Sequence, residues 1–591
     1  MQRREISSIL EVTLILNAMV RTLERLQLSH WALLGFFLVL PLSLRHTIFS
    51  FPPLGGQAFN EYTDISLFAS DLVLMTFFLL IILENRNRYL SINWWKRMFH
   101  VEQFRIVVLA PLPFLLWCLI STFWSEYQTL AFYASLKLFE GYLLYVFLIL
   151  INVPRGTLSS DIDYCSTWNK NLVHQDQQTM FHVEQSLGKN ALRNQIVPRG
   201  TMNDILQLLR KCSTWNISNF IFGGIIISAM VQATIALWQF LAQSSVGLSS
   251  LGESYLGANL PGIAKVILLD QVIIRPYGLF PHPNILASYL GLSILLLIFT
   301  PVLFKFQLFH VEHFLKFYRV ALFILLFVFL LTFSKSAIIS LFIVIVYIVW
   351  QMFHVEHPRR DENMLLEEIV PRGTIGSWLQ LLRKCSTWNI HKLYSKMFHV
   401  EHLMMGSILI VLFLISILIL RSLDSYYFIT QPLFERWFYL QGFLRIVQEH
   451  FWIGVGIGQS VYLMPHFFVE KLLEWQFQPI HSLFLLIWAE LGVIGLVLFM
   501  RICSTWNKYT SRVTLFHVEQ SEQALFDDKA TVPHGTILRT DPAKIFARGM
   551  LLYLFLTALT DHYYWDIQQG QLIFWSIGAL AVVINWRVLT K

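Results

Sequence analysis

Long apolar stretches alternate with short polar ones over most of this chain. Twelve intervals are apolar enough to read as membrane helices: 30–49, 65–84, 104–123, 130–151, 218–242, 283–304, 317–332, 335–351, 403–421, 482–500, 548–564 and 571–589. A run of roughly 20 apolar residues, rising about 1.5 Å each, crosses about 30 Å of hydrocarbon. The pattern predicts an all-α fold, a polytopic membrane bundle of about 12 transmembrane helices, with 1–591 forming one integral domain. Residues 6–26 interleave Ile6, Leu10, Leu14 and Leu23 with Glu5, Arg21 and Arg25, which suggests an interfacial helix at the entry. Composition agrees with a membrane chain. The hydrophobic share is 55% and the charged share 14%, against about 25% charged in a soluble chain.

Charge then supplies an orientation. With the N-terminus cytoplasmic, 35 of the 44 Lys and Arg residues fall on cytoplasmic segments. The positive-inside rule therefore predicts cytoplasmic N- and C-termini. Two large segments face outward on this reading, 243–282 and 422–481, the second lying between spans nine and ten.

The cytoplasmic loops hold three recurring peptides. Met98-Phe-His-Val-Glu-Gln103 recurs, with small changes, at 180–185, 308–313, 352–357, 397–402 and 515–520. Cys-Ser-Thr-Trp-Asn occurs at 165–169, 212–216, 385–389 and 503–507. Val-Pro-Arg-Gly-Thr occurs at 153–157, 197–201 and 370–374, with a variant at 532–536. The genetic code relates all three, because the palindrome TGTTCCACGTGGAACA encodes one of them in each reading frame. Segments 152–217, 352–402 and 501–547 therefore read as repeat-bearing insertions in exposed connections. Their His, Glu and Cys residues lack the ligand spacing of a zinc site, so no metal is expected there.

With the insertions set aside, chemistry concentrates on the two outward segments. Arg275-Pro-Tyr-Gly-Leu-Phe-Pro-His282-Pro-Asn284 enters a span. Arg436, Arg445 and a Gly454-Val-Gly-Ile-Gly458 turn precede His481-Ser482, where the next span begins with Glu490, Gly492 and Gly495 along it. Guanidinium groups bind phosphate oxygens in pairs. A neutral imidazole can take a proton from a hydroxyl. Against these readings, Arg445 can simply pair with nearby carboxylates or headgroups, and His481 can be an interfacial polar cap. Glu490, nine residues past His481, is about 13 Å along a helix axis, which suits packing or a buried hydrogen bond better than a direct role.

The ordered motifs resemble the O-antigen ligase / Wzy polymerase superfamily. Arg275, Tyr277, Gly278, Phe280, His282, Pro283 and Asn284 match one motif; Arg436 and the Gly454–Gly458 turn match a second; His481, Ser482, Gly492 and Gly495 match a third. Asp561-His-Tyr through Gly570-Gln-Leu-Ile-Phe-Trp575 matches a closing segment. The resemblance implies a glycosyltransferase at the outer face of the bacterial cytoplasmic membrane. Such an enzyme moves a glycan from an undecaprenyl diphosphate carrier to a hydroxyl of a glycolipid or glycan acceptor. It implies His481 as the catalytic residue, Arg275 and Arg436 as the diphosphate ligands, and Arg445, His282, Asn284 and Glu490 as supporting residues. It implies membrane lipid as surroundings, no cofactor, no metal and no bound nucleic acid. A Wzy-type polymerase is the alternative, followed by a transporter of lipid-linked glycans.

Overall fold

The protein is described by a computed structural model covering residues 27–51, 60–100, 102–152, 217–268, 270–304, 311–355, 431–468, 472, 476–511 and 542–589. The entry segment 6–26, the predicted span 403–421 and most of the three repeat-bearing segments lie outside the described residues.

The described chain is mostly helical. The principal helices are α1 (Leu28–Val39), α2 (Ala69–Glu84), α3 (Leu112–Ser121), α4 (Gln128–Asn152), α5 (Ile217–Ala242), α6 (Pro283–Phe304), α7 (Val311–Leu331) and α8 (Lys335–Val355). They continue with α9 (Gln431–His450), α10 (Leu483–Ser511), α11 (Pro542–Ala558) and α12 (Gln568–Leu589). Four stretches are long and apolar enough to cross a membrane: Phe104–Ser121, Gln128–Ile151, Ile221–Ala242 and Leu483–Thr510. Shorter apolar helices cover Leu28–Val39, Pro283–Phe299, Tyr318–Leu331, Lys335–Gln351 and Gln568–Ile584.

Three predicted intervals differ in detail. The intervals 30–49 and 65–84 each carry a strand at one end. Arg45–Ser50 (β1) pairs antiparallel with Asp64–Phe68 (β2). The reason is local: Arg45, His46 and Thr47 are too polar to continue an apolar helix, while Thr47, Ile48 and Phe49 suit an extended chain. The segment 422–481, read as a loop, contains α9. Its Tyr439, Phe443 and Ile446 recur at helical spacing and are all buried. In the other outward segment, Lys265–Leu268 (β3) and Gln271–Ile274 (β4) form a small hairpin just before Arg275.

The core lies where α4, α10 and α12 meet. Trp506, Trp575 and Tyr145 are almost wholly buried there, and the Trp506 indole donates to the Tyr145 hydroxyl at 3.1 Å. Trp506 belongs to the repeat peptide at 503–507, so this copy is helical and its indole packs in the core. Helix α12 packs on α4, α10 and α11, and α6 on α5, α7 and α11. These contacts hold the loops at one end of the bundle in fixed register.

A break in α10 does the most to shape that end. Gly492 interrupts the helix with φ 68° and ψ −177°. The Gly454–Gly458 turn inserts into the break. Val455 and Gly456 donate backbone N–H groups to the Ala489 and Glu490 carbonyls at 3.0 and 2.8 Å. Val493 donates to Phe451 at 3.0 Å on the other side. Both glycines are required by space as well as by φ. A Cβ on Gly454 would strike the Glu490 carbonyl, and one on Gly492 would strike the Trp452 carbonyl. For Gly492→Val we expect a loss on the order of 1–3 kcal/mol from φ alone, increased by the collision. Thermal unfolding of the detergent-solubilised protein measures it, and a melting curve equal to wild type would refute this packing.

Candidate functional site

The site is assembled from four separate stretches at the loop end of the bundle. The connection between α11 and α12 supplies Asp561, His562 and Asp566; His562 precedes the one-turn helix Tyr563–Asp566 and Asp566 ends it. The start of α10 supplies His481, held in place when Leu483 N–H donates to the Asp561 carbonyl at 3.0 Å. The entry to α6 supplies Arg275, His282 and Asn284, and α9 supplies Arg436 and Tyr439.

His481 and His562 stack nearly parallel, with ring centroids 5.2 Å apart and an 18° interplanar angle. Tyr439 meets the His481 ring edge-on at 4.7 Å, and Tyr62 meets the His562 ring at 5.6 Å. Asp566 Oδ2 accepts from His562 Nδ1 at 2.8 Å, which fixes the ring plane. Asp561 Oδ1 lies 3.9 Å from His562 Nε2.

Hydrogen bonds run from the arginine as far as Asp561, which stands beside this pair. Arg275 donates to Asn284 Oδ1 at 2.7 Å, and Asn284 Nδ2 donates to Asp561 Oδ2 at 2.9 Å. Arg275 Nε also donates to the Thr332 carbonyl at 2.6 Å, anchoring the guanidinium to the end of α7. Asn284 N–H donates to His282 Nδ1 at 3.2 Å. Arg436 reaches the Thr560 carbonyl at 3.4 Å, one residue from Asp561.

The electrostatics follow from burial among charges. Burial pulls the His481 imidazole down to about 3, with the neighbouring His562 and Arg436 adding to the fall. His282 is likewise lowered to about 3, by burial and then by Arg275. Both are neutral at pH 7. His562 goes the other way: burial lowers it, but the Asp566 and Asp561 carboxylates outweigh burial and raise it. For Asp561, burial raises the carboxyl, and the three histidines with the Asn284 hydrogen bond more than reverse it. Burial lowers Arg275 to about 10, which leaves it cationic at neutral pH.

The sign of the pH dependence follows. An ordinary histidine gains its proton near pH 6.5, whereas His481 stays deprotonated until far lower pH. A reaction using neutral His481 as base should therefore show no acid limb near pH 6.5 in kcat/KM, which a pH–rate profile from 5 to 8 checks. A limb at that position would place the base elsewhere or show His481 to be exposed to solvent.

Other residues singled out from the sequence lie differently. Arg445 is exposed, donates to the Phe467 carbonyl and sits over the Phe468 ring at 5.3 Å, away from the histidine pair. Glu490 faces the opposite side of the Gly454–Gly458 turn. It accepts from Gly458 N–H at 2.8 Å, Ser460 Oγ at 2.7 Å and the Trp565 indole at 2.7 Å. It thus clips the inserted turn and the Tyr563–Asp566 helix to α10. The sequence reading passed over Asp561, His562, Asp566 and Tyr62, although the closing motif contained the first two.

His481, Asp561 and His562 each offer one ligand atom within 4.8 Å of the others, a donor set a divalent ion could use. However, Arg275 lies within electrostatic range of Asp561, as Arg436 does of His481. Two fixed guanidinium charges disfavour a cation there and favour an anion.

Residues 373–500 match the family model described as O-Antigen ligase. That interval includes Arg436, His481, Gly495, and the Gly454–Gly458 turn and Gly492, the last two locked together in space. Over those residues the chain is similar to O-antigen ligases, and its apolar helices fit a membrane protein. No curated protein matches the chain. Within the matched region the broken helix has a clear task. It seats the turn under Glu490 and leaves His481 at the mouth of α10, facing residues that the matched region itself does not contain.

Proposed function

We propose that this chain transfers a glycan from an undecaprenyl diphosphate carrier to an acceptor hydroxyl, in the manner of an O-antigen ligase. The observation that carries the proposal is the placing of His481, from the matched region, beside Asp561, which hydrogen bonds link through Asn284 to Arg275. A neutral base and a fixed cation thus share one partly buried site.

The step follows from those parts. The acceptor oxygen attacks the anomeric carbon of the carrier-linked sugar. The bond from that carbon to the phosphate oxygen breaks, and its electron pair leaves with the diphosphate. The acceptor's proton passes to neutral His481. Arg275 and Arg436 hold the diphosphate and stabilise the charge it gains on leaving, an electrostatic role for preorganised donors. Asp561 and Asn284 position Arg275, and Glu490 and His282 support the scaffold. Arg445 binds headgroups at the rim. The reading requires no metal and no cofactor.

Orientation completes the proposal. The excess of Lys and Arg on the segments assigned inside supports cytoplasmic termini, twelve spans and a site facing out of the bacterial cytoplasmic membrane. Segments 152–217, 352–402 and 501–547 are then assigned to the cytoplasmic side. Chain growth by a Wzy-type polymerase uses the same step with a glycan acceptor.

Reconstitution tests this. Purified protein in liposomes, given an undecaprenyl diphosphate-linked glycan and a glycolipid or glycan acceptor with a chelator present, should form product. It should release undecaprenyl diphosphate in equal amount. Movement of the intact lipid-linked glycan across the bilayer without release of carrier would favour a transporter instead.

A further inference from the structure

The far side of the histidine pair opens into a cleft unlike the arginine side. Its lining includes Glu61, Tyr62, Asp64, Tyr133, Asp566 and Gln571. Its cavity volume is about 70 Å³, and it meets a second cleft of about 250 Å³ through Glu61, Phe68, Asp566 and Gln568. The cleft reaches the reactive pair through its wall. Tyr62 packs on the His562 ring, Asp566 binds His562 Nδ1, and Pro479, two residues before His481, is part of the wall.

Two features of the wall specify the ligand. Asp64 Oδ2 and Gln571 Oε1 are buried and have no hydrogen-bond partner among the described residues. Each residue is 6% exposed and each uses its other polar atom internally, Asp64 toward Ser50 at 2.5 Å and Gln571 toward the Trp565 carbonyl. Unmatched buried acceptors call for a ligand that brings hydrogen-bond donors. The cations near the cleft are already matched. Arg45 lies 3.6 Å from Glu61, and Lys137 pairs with Asp71 and with Glu140.

A diphosphate brings negative charge and acceptor oxygens, which this wall would repel. A sugar brings several O–H donors for carboxylates and amides, and an apolar ring face for Tyr62 and Tyr133. We propose that this cleft is the acceptor subsite and binds an uncharged, polyhydroxylated sugar residue, presenting one hydroxyl toward the His481–His562 pair. The inference rests on the glycosyl-transfer reading above. It divides the site into a cationic donor half around Arg275 and Arg436 and an acidic, aromatic acceptor half around Glu61, Asp64 and Gln571.

Binding measurements without turnover test it independently of catalysis. Saturation-transfer NMR on the full-length protein would use two neutral probes, an uncharged hexose oligosaccharide and a free, uncharged repeat-unit glycan. Fluorescence titration with undecaprenyl diphosphate would follow the carrier. Glu61→Gln and Gln571→Leu should each weaken oligosaccharide binding tenfold or more and leave carrier affinity within twofold of wild type. Gln571→Glu, which keeps an acceptor oxygen at the same place, should retain binding better than Gln571→Leu. Arg275→Ala should do the reverse, weakening carrier and sparing oligosaccharide. Failure of both glycans to bind wild type, or equal binding by wild type, Glu61→Gln and Gln571→Leu, would overturn the acceptor subsite. Oligosaccharide binding that depends on Glu61 and Gln571, in a protein that binds no carrier and transfers nothing, would uphold the subsite and overturn the transfer reading.

Discussion

His481→Ala should lower kcat for glycan transfer by 10²–10⁴, the range expected when a general base is removed, while carrier affinity stays near wild type. The reason is the ring's surroundings. Tyr439 on its edge and His562 on its face hold the imidazole, and burial with the adjacent positive charges keeps it unprotonated. It contributes no charge for the diphosphate, so its loss falls on the chemical step. His481→Gln should not restore the rate, because an amide can hydrogen-bond the acceptor but cannot take its proton. Single-turnover transfer at saturating carrier separates this from weakened binding.

Arg275→Ala should instead weaken carrier binding by tenfold or more and lower the transfer rate as well. The guanidinium is half-buried and held on two sides, by the Thr332 carbonyl and the Asn284 side chain. Two of its hydrogen-bonding directions are thereby spent on orientation, and the remaining donors are available to phosphate. Removing it also unseats Asn284 from Asp561 Oδ2 and leaves a buried carboxylate with fewer donors. Arg275→Lys should recover little, since an ammonium cannot reproduce the planar fork. Undecaprenyl diphosphate titration gives the affinity, and unchanged binding by Arg275→Ala would exclude a diphosphate contact.

How much of this was legible in the chain follows from what each residue reports locally. The helices were visible because lipid-compatible runs carry their own signature. Arg275, Asn284 and His481 stand out because Arg275 opens a proline- and glycine-rich turn that leads into a span, Asn284 ends that turn, and His481 follows a proline at the start of another span. The strand pair β1–β2 was missed because the apolar residues of each strand run on from a real helix. Pairing across the chain has no signature within either segment. Helix α9 was missed for a related reason: its apolar stripe is interrupted by Glu435, Arg436 and Arg445, so its mean polarity resembles a loop while its spacing is helical.

The site itself depends on long-range joins. Asp561 and His562 sit next to His481 only because Leu483 binds the Asp561 carbonyl and α12 packs behind both. In sequence they read as an interfacial aromatic cluster. Glu490 shows the converse. Its spacing from His481 along α10 suggests a buried hydrogen bond, and it accepts from Gly458, Ser460 and Trp565. The break at Gly492 and the turn that fills it gave it partners that no helical wheel would suggest. The glycines matched to a family pattern are thus explained by backbone contact, not by catalysis.

The account's central claim is a division of labour between a base that works on the acceptor and arginines that hold the carrier. The most direct test is a side-by-side measurement of undecaprenyl diphosphate affinity and single-turnover transfer for wild type, His481→Ala and Arg275→Ala in one reconstituted preparation. The account predicts wild-type affinity with transfer reduced at least 10²-fold for His481→Ala, and reduced affinity for Arg275→Ala. Transfer by His481→Ala at the wild-type rate, or the same affinity loss in both variants, would contradict it.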